Sequence, residues 1–456
     1  MFDIIFLAAL FALLIQNELP LLAVGGIVVC SLRGLAGWLA DRVKFRRLEF
    51  AIVVFLAYWL ANYFWSTRSI DNLFSYGFLR RDGALLVSYP AFFFLLHWRL
   101  RPGYFKFFWF FFFTCLSLMA VCGSAVLLNL PYTAPLESLR LAGMESEFAG
   151  SRLFYAWYQA HDTAAGMYAI ASLMLAALLM EGRLGRRVRI YVWMMFLSCL
   201  AGLAFTFGRS GYLAFVAGGT ILLPLRELRK AFKIALLLAV PVIVLVVSSS
   251  TLLDRIDTIT DPNWGTNATR FILWRDALHD FSLSPIVGIG FGRYNDLARQ
   301  FEGLPGIVDV AVGGKIMNNS STAHNSYLHF LAEGGIVGLV VSLYVWWCAW
   351  TELTLFLRRF PKSKYHAFQL GARASLAGIA VHSLTDHALG SGSIALTLMS
   401  LIGLTLAASR AEWSEARERN DPLFREGGLA GERSLARARS QPAVKFRGEH
   451  NLSASS

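Results

Sequence analysis

Phe107-Phe108-Trp109-Phe110-Phe111-Phe112-Phe113-Thr114-Cys115-Leu116-Ser117-Leu118-Met119-Ala120-Val121-Cys122-Gly123-Ser124-Ala125-Val126-Leu127-Leu128-Asn129 is an uninterrupted run without a single charged side chain. A helix needs roughly 20 such residues to cross about 30 Å of hydrocarbon, so this run spans a bilayer. Working outward from it, 56% of the 456 residues are hydrophobic and only 16% are charged, with a mean hydropathy of +0.51. The 36 Phe, 13 Trp and 15 Tyr exceed what a water-facing surface tolerates, and the apolar residues fall in long runs rather than alternating. Composition therefore excludes a soluble enzyme and predicts an all-α polytopic membrane protein. The net charge of +12 does not point to nucleic acid, because Lys and Arg sit in short clusters between apolar runs and act as topology signals.

The same criterion predicts about twelve spans, over residues 2–15, 19–32, 50–65, 84–97, 107–129, 162–180, 190–207, 211–223, 234–249, 327–357, 367–389 and 393–408. Basic clusters at 33–47, 99–106, 183–189, 226–233 and 358–364 hold five, three, four, four and four Lys/Arg, all on one side if the spans alternate. The other side carries Arg68, Arg80, Arg81, Arg140, Arg152, Arg209 and six more in the loop 250–326, where eight acidic residues offset them. The positive-inside rule then puts both termini in the cytoplasm and the long loop in the periplasm. Residues 1–409 read as one transmembrane domain, and the polar tail 410–456 as a disordered cytoplasmic segment. The first apolar run lacks a basic flank and a small-residue cleavage site, so no signal peptide is expected. Cys30, Cys115, Cys122, Cys199 and Cys348 all lie within apolar runs without a CxxC pair, which implies neither a disulfide framework nor a thiolate metal site. No internal repeat and no matched pair of broken spans is visible, which weakens a transporter reading.

Four features meet at the outer face on this topology: Arg152 in Gly150-Ser151-Arg152-Leu153; Arg209 in Gly208-Arg209-Ser210-Gly211; Arg270 in Thr269-Arg270-Phe271-Ile272-Leu273-Trp274; and His324, where the long loop re-enters the membrane in His324-Asn325-Ser326-Tyr327-Leu328-His329-Phe330-Leu331-Ala332-Glu333-Gly334-Gly335-Ile336-Val337-Gly338. An Arg fork holds two phosphate oxygens at once and stays charged at any relevant pH. Fixed guanidiniums beside a departing pyrophosphate stabilise the charge that develops in the transition state. A histidine is the natural acceptor for a hydroxyl proton near neutral pH. With Asn325 and Ser326 as capping types, the helix start would add N–H groups that favour an anion.

Each residue has a plainer reading. Arg152 and Arg209 could be interfacial anchors, Arg270 a solvated loop charge and His324 a helix-start residue; their joint occurrence on one face favours a site. His382 and Asp386 stand one helical turn apart near the outer end of the eleventh span, and His161-Asp162 opens the sixth. Ionisable groups at membrane depth are functional candidates, although a pair satisfying itself is as reasonable. Pro285-Ile286-Val287-Gly288-Ile289-Gly290-Phe291-Gly292 lacks a βαβ context for a nucleotide site and reads instead as a loop needing positive φ or close backbone approach. No DxD pair occurs on the outer face, which argues against a divalent metal.

At these residues the chain resembles the O-antigen ligase and O-antigen polymerase superfamily of bacterial inner-membrane glycan transferases. The resemblance rests on the Gly-Arg-Ser-Gly turn at 208–211, Thr-Arg-x-x-x-Trp at 269–274, Pro-x-x-Gly-x-Gly-x-Gly at 285–292, and His324-Asn325-x-Tyr327-Leu328-x-x-Leu331-x-Glu333-x-Gly335-x-x-Gly338. It covers roughly residues 150–408. It implies a metal-independent, inverting enzyme without cofactor that moves a glycan from undecaprenyl pyrophosphate to an acceptor hydroxyl on a glycan, lipid or protein. His324 would be the base, Arg270 and Arg152 would bind the pyrophosphate with Arg209 in support, and Asn325, Tyr327, Glu333, His382 and Asp386 could assist. After Arg152 this chain reads Phe-Tyr-Ala-Trp-Tyr-Gln-Ala-His-Asp over 154–162, where family members continue with Gly and Asn. A ligase with lipid A core as acceptor is the first reading and a polymerase of lipid-linked repeats the second. A transporter of lipid-linked substrate and a non-enzymatic scaffold are readings from other classes, and both leave the His–Asn helix start without a purpose.

Overall fold

The computed structural model describes residues 2–14, 25–30, 46–67, 83–98, 102–127, 161–181, 184–206, 208–223, 265–294, 311–312, 315–316, 322–390 and 392–418, with residues 23 and 32. Within them the regular structure is all helix apart from one antiparallel two-residue ladder, Ala311–Val312 with Lys315–Ile316. The helices are α1 (Phe2–Leu14), α2 (Arg47–Thr67), α3 (Gly83–Leu95), α4 (Pro102–Leu127), α5 (His161–Met180), α6 (Arg186–Phe205), α7 (Arg209–Leu222), α8 (Gly265–Leu283), α9 (Ser326–Arg359), α10 (His366–His382) and α11 (Gly392–Glu418). Six of them, α2, α4, α5, α6, α9 and α11, are long and apolar enough to cross a membrane. The chain is a multi-pass membrane protein. Helices also cover the expected spans at 2–15, 84–97, 211–223 and 367–389 in shorter form, whereas 234–249 lies outside the described residues.

Burial orders the bundle. In α11 94% of the apolar window is buried and in α5 78%, against 28% in α6, so α5 and α11 are central and α6 is peripheral. The outer side of α6 presents Ile190, Tyr191, Trp193, Met194 and Leu197, as a lipid-facing helix should when its solvent is as apolar as its side chains. α5 packs against α6, α7 and α10, α2 against α3 and α9, and α3 against α11.

Three expectations need correction. The eleventh span ends as helix at His382 rather than 389, and residues 383–390 form a turn. The boundary expected at 410 falls inside α11, which runs on to Glu418 with Arg410 buried. The tenth span is a broken helix: α9 is interrupted at Gly335 (φ 59°, ψ −164°), a backbone conformation essentially confined to glycine.

That break has an occupant. The carbonyls of Ala332 and Glu333 accept from Ile289 and Gly290 N–H, both at 3.0 Å, while Ile336 and Val337 N–H donate to the carbonyls of Pro285 (2.9 Å) and Ile286 (3.2 Å). The Gly-rich segment is thus threaded into the kink as hydrogen-bonded backbone. Gly288, Gly290 and Gly292 have φ of 75°, 114° and 78°, the positive values expected of that loop. Asn62 on α2 fastens it further, donating to Val287 O at 2.7 Å and accepting from Phe291 N–H at 2.6 Å.

Candidate active site

Five helix ends build the site: the starts of α5, α7, α8 and α9 and the end of α10. These ends meet in the structure. Asn325 caps α9 from an extended backbone, its Oδ1 accepting from Tyr327 N–H (3.0 Å) and Leu328 N–H (3.1 Å). Its Nδ2 donates to Leu384 O at 2.9 Å, and Ser326 N–H donates to Ser383 O at 2.9 Å. One cap therefore satisfies the free donors of a helix start and locks the turn after α10 against it.

His324 precedes this cap with φ 45°, uncommon for a side chain with a Cβ. Its Nδ1 lies 3.3 Å from Asp386 Oδ1, and the side chain is 36% exposed, so the remaining nitrogen is not sealed in by burial. Asp386 also accepts from His387 N–H at 2.8 Å, and His382 Nδ1 stands 3.9 Å from its Oδ2. Burial alone would raise the Asp386 carboxyl. The hydrogen bond with His324, the charges of His382 and His324 and the His387 N–H outweigh it and hold the group below the usual carboxylate range. His387 is driven the other way, far below an ordinary imidazole, by burial first and then by His329.

Asp162, in the first turn of α5, joins the second half of the site to the first. Its Oδ2 is 3.6 Å from Arg270 Nη2, its Oδ1 accepts from Ser210 Oγ at 3.3 Å, and its backbone carbonyl faces His382 Nε2 at 3.3 Å. Ser210 can reach it because the turn between α6 and α7 lies directly on α5. A Cβ added to Gly211 would fall 2.6 Å from Ala165 Cβ and 3.0 Å from Ala165 O, so the second glycine of the Gly-Arg-Ser-Gly motif is required by close approach. Arg209, between them, opens α7 half-buried.

The structure thus brings together Arg270, His324, Asn325, His382 and Asp386. It places Tyr327 and Glu333 elsewhere. Tyr327 Oη donates to Ala380 O at 2.6 Å and ties α9 to α10. Glu333, 1% exposed, accepts from Tyr294 N–H at 3.1 Å and lies 3.4 Å from His329 Nε2. Since Tyr294 Oη donates to Leu273 O at 2.9 Å, Glu333 braces α8, the helix that carries Arg270. Arg152 lies outside the described residues. Asp162 and Ser210 are the additions. The signal for Asp162 was a carboxylate at the mouth of an apolar run; Ser210 carried none beyond its place between two glycines.

Asp162, His324 and Asp386 each offer a donor atom, all within 4.8 Å of one another, a set able to hold a cation. Protein groups already oppose these carboxylates: Arg270 faces Asp162, and His324 and His382 face Asp386.

Residues 190–343 match the family model described as O-antigen ligase. Over this segment the chain is similar to the O-antigen ligase family. The comparison with curated proteins returned no match. The matched segment contains Arg209, Arg270, His324 and Asn325, while Asp162 and His382, on helices, and Asp386, in the turn after α10, reach the site from outside it.

Proposed function

We propose that this chain transfers a glycan from undecaprenyl pyrophosphate to an acceptor hydroxyl at the periplasmic face of the bacterial inner membrane, with lipid A core as the acceptor. The observation that carries the proposal is the meeting, at one end of the bundle, of a His324–Asp386 pair and a guanidinium from α8. The free nitrogen of His324 takes the proton of the acceptor hydroxyl while Asp386 holds the ring by its Nδ1 and stabilises the imidazolium that forms, as a carboxylate orients the histidine of a hydrolytic triad. The acceptor oxygen bonds to the anomeric carbon as the bond from that carbon to the diphosphate oxygen breaks. Attack from the face opposite the leaving group inverts the centre. The electron pair leaves with the diphosphate, where Arg270, with Arg209 and Arg152 in support, neutralises the developing charge. Fixed guanidiniums supply what a divalent ion would otherwise provide, so the reaction runs without metal.

The test is a transfer assay with purified protein, an undecaprenyl-pyrophosphate glycan, and lipid A core and a second lipid-linked repeat as competing acceptors. His324→Ala is expected to lower turnover by about 10²–10⁴-fold and Arg270→Ala by about a hundredfold or more, with insertion and yield unchanged. Wild-type activity is expected to survive EDTA. Full turnover in either variant would remove the assigned roles, and a strict magnesium requirement would remove the metal-free mechanism. Sugar gained by the lipid-linked repeat alone would make the enzyme a polymerase.

A further inference from the structure

Arg270, read above as the diphosphate ligand, already faces an anion. Its Nη2 lies 3.6 Å from Asp162 Oδ2, beyond the roughly 2.7–3.2 Å of a well-formed charge-assisted hydrogen bond. The two partners are held unequally. Asp162 is 8% exposed and sits in the first turn of a central helix, with Ser210 Oγ at 3.3 Å from its Oδ1 and His382 Nε2 at 3.3 Å from its carbonyl. The Arg270 side chain is 23% exposed on α8, a helix outside the six candidate spans. The carboxylate is fastened, and the guanidinium is the more accessible member of a loose pair. A diphosphate presents several oxygens and a larger charge, matching the planar fork better than one carboxylate oxygen at 3.6 Å.

We infer that Asp162 is the resident counter-ion of the donor site, holding Arg270 in position while the site is empty and surrendering it to the diphosphate of the incoming donor. This rests on the assignment of Arg270 to the diphosphate. Asp162 touches no reacting atom and is a positioning residue. Its charge has two opposed effects. It orients Arg270 and so favours turnover, and it competes with the diphosphate and so weakens donor binding. After transfer the carboxylate takes the arginine back, which speeds release of the lipid diphosphate.

The experiment uses the full-length protein in nanodiscs, with farnesyl diphosphate as probe, titrated calorimetrically into wild type, Asp162→Asn, Asp162→Glu and Arg270→Ala, alongside steady-state transfer kinetics. Asp162→Asn is expected to bind the probe about five-fold more tightly, the size of one partly exposed charge pair, while kcat falls by about the same factor because the spent lipid diphosphate is released more slowly. KM and kcat then drop together, whereas a merely structural defect lowers kcat without tightening the probe. Asp162→Glu keeps the charge and is expected to bind no more tightly than wild type, which preserves the test should Asp162→Asn not fold. Unchanged or weaker binding in folded Asp162→Asn, or tighter binding in Asp162→Glu, overturns the inference. If Arg270→Ala binds the probe like wild type, the assignment of Arg270 fails and the inference falls with it. Lost binding in Arg270→Ala beside unchanged binding in Asp162→Asn sinks the inference alone.

Discussion

His387 is given no role in the transfer, yet its burial makes the fold sensitive to acid. Its ring is buried 4.1 Å from the His329 ring and edge-on to Phe330, with Asp386 and His324 near enough for their charges to act on it. Burial and the neighbouring histidine lower its proton affinity in the folded protein, while in the unfolded chain it titrates near 6.5. The folded state therefore binds fewer protons, and stability falls as pH drops below about 6.5. One pH unit below that value corresponds to about 1.4 kcal/mol. The thermal midpoint of the wild type is expected to drop between pH 7.5 and 5.5, and that of His387→Asn to drop less; equal drops in the two would show that the acid sensitivity arises elsewhere. Of the site itself, Arg270 and His324 were legible because their chemistry is unusual beside apolar runs. Asp162 stood out only as one candidate at the mouth of a span, since an acidic residue in a first helical turn is explained as well by the helix dipole, and its partners come from α7 and α8, far along the chain.

Among the elements, α9 departs furthest from its sequence reading. Hydropathy sees one apolar run and is blind to a single glycine within it, so residues 327–357 read as one unbroken span. The motif is instead two pieces joined at Gly335, and the Pro285 to Gly292 segment is its hydrogen-bonded complement. Two features read separately in the sequence are one structural unit, because backbone carbonyls freed by the kink need donors and the glycine-rich loop supplies them. A Cβ at Gly335 would lie 2.4 Å from Ile286 C, and one at Gly288 2.2 Å from Glu333 C. Gly335→Ala is expected to destabilise the protein by at least about 1–3 kcal/mol from backbone strain alone and to expose the 285–292 loop to protease. A variant with the wild-type melting midpoint and cleavage pattern would rule out the tight fit.

At the scale of the whole molecule, a second polar cluster closes the end of the bundle opposite the site. Arg410 on α11 donates from Nε and Nη2 to Glu352 on α9 (both 2.7 Å) and from Nη1 to Glu49 on α2 at 2.7 Å, with Arg46 3.4 Å from Glu352. Three helices far apart in sequence are thereby pinned through one guanidinium in its full bidentate geometry. Arg410→Ala would remove the cation shared by Glu49 and Glu352, with only the longer contact from Arg46 left on Glu352, and is expected to cost about 3–5 kcal/mol, seen as a lower melting midpoint in detergent, while the donor KM of the surviving folded protein stays at the wild-type value. A changed KM with an unaltered midpoint would contradict a purely structural role. The reading of residues from 410 onward as a disordered tail overlooked this, because composition averages over a window and one buried arginine is outweighed by the polar residues that follow it.

The sequence alone determined that the chain lives in a membrane, and its span parity carried the expectation that Arg270 and His324 share one face. Those properties depend on transfer free energy and span parity, which are additive along a chain. Only the tertiary structure decided which carboxylates answer those cations, that Glu333 braces α8 instead of joining the site, and that a glycine loop fills the break in α9. Such pairings depend on ångström distances between residues remote in sequence, and neither periodicity nor composition encodes them.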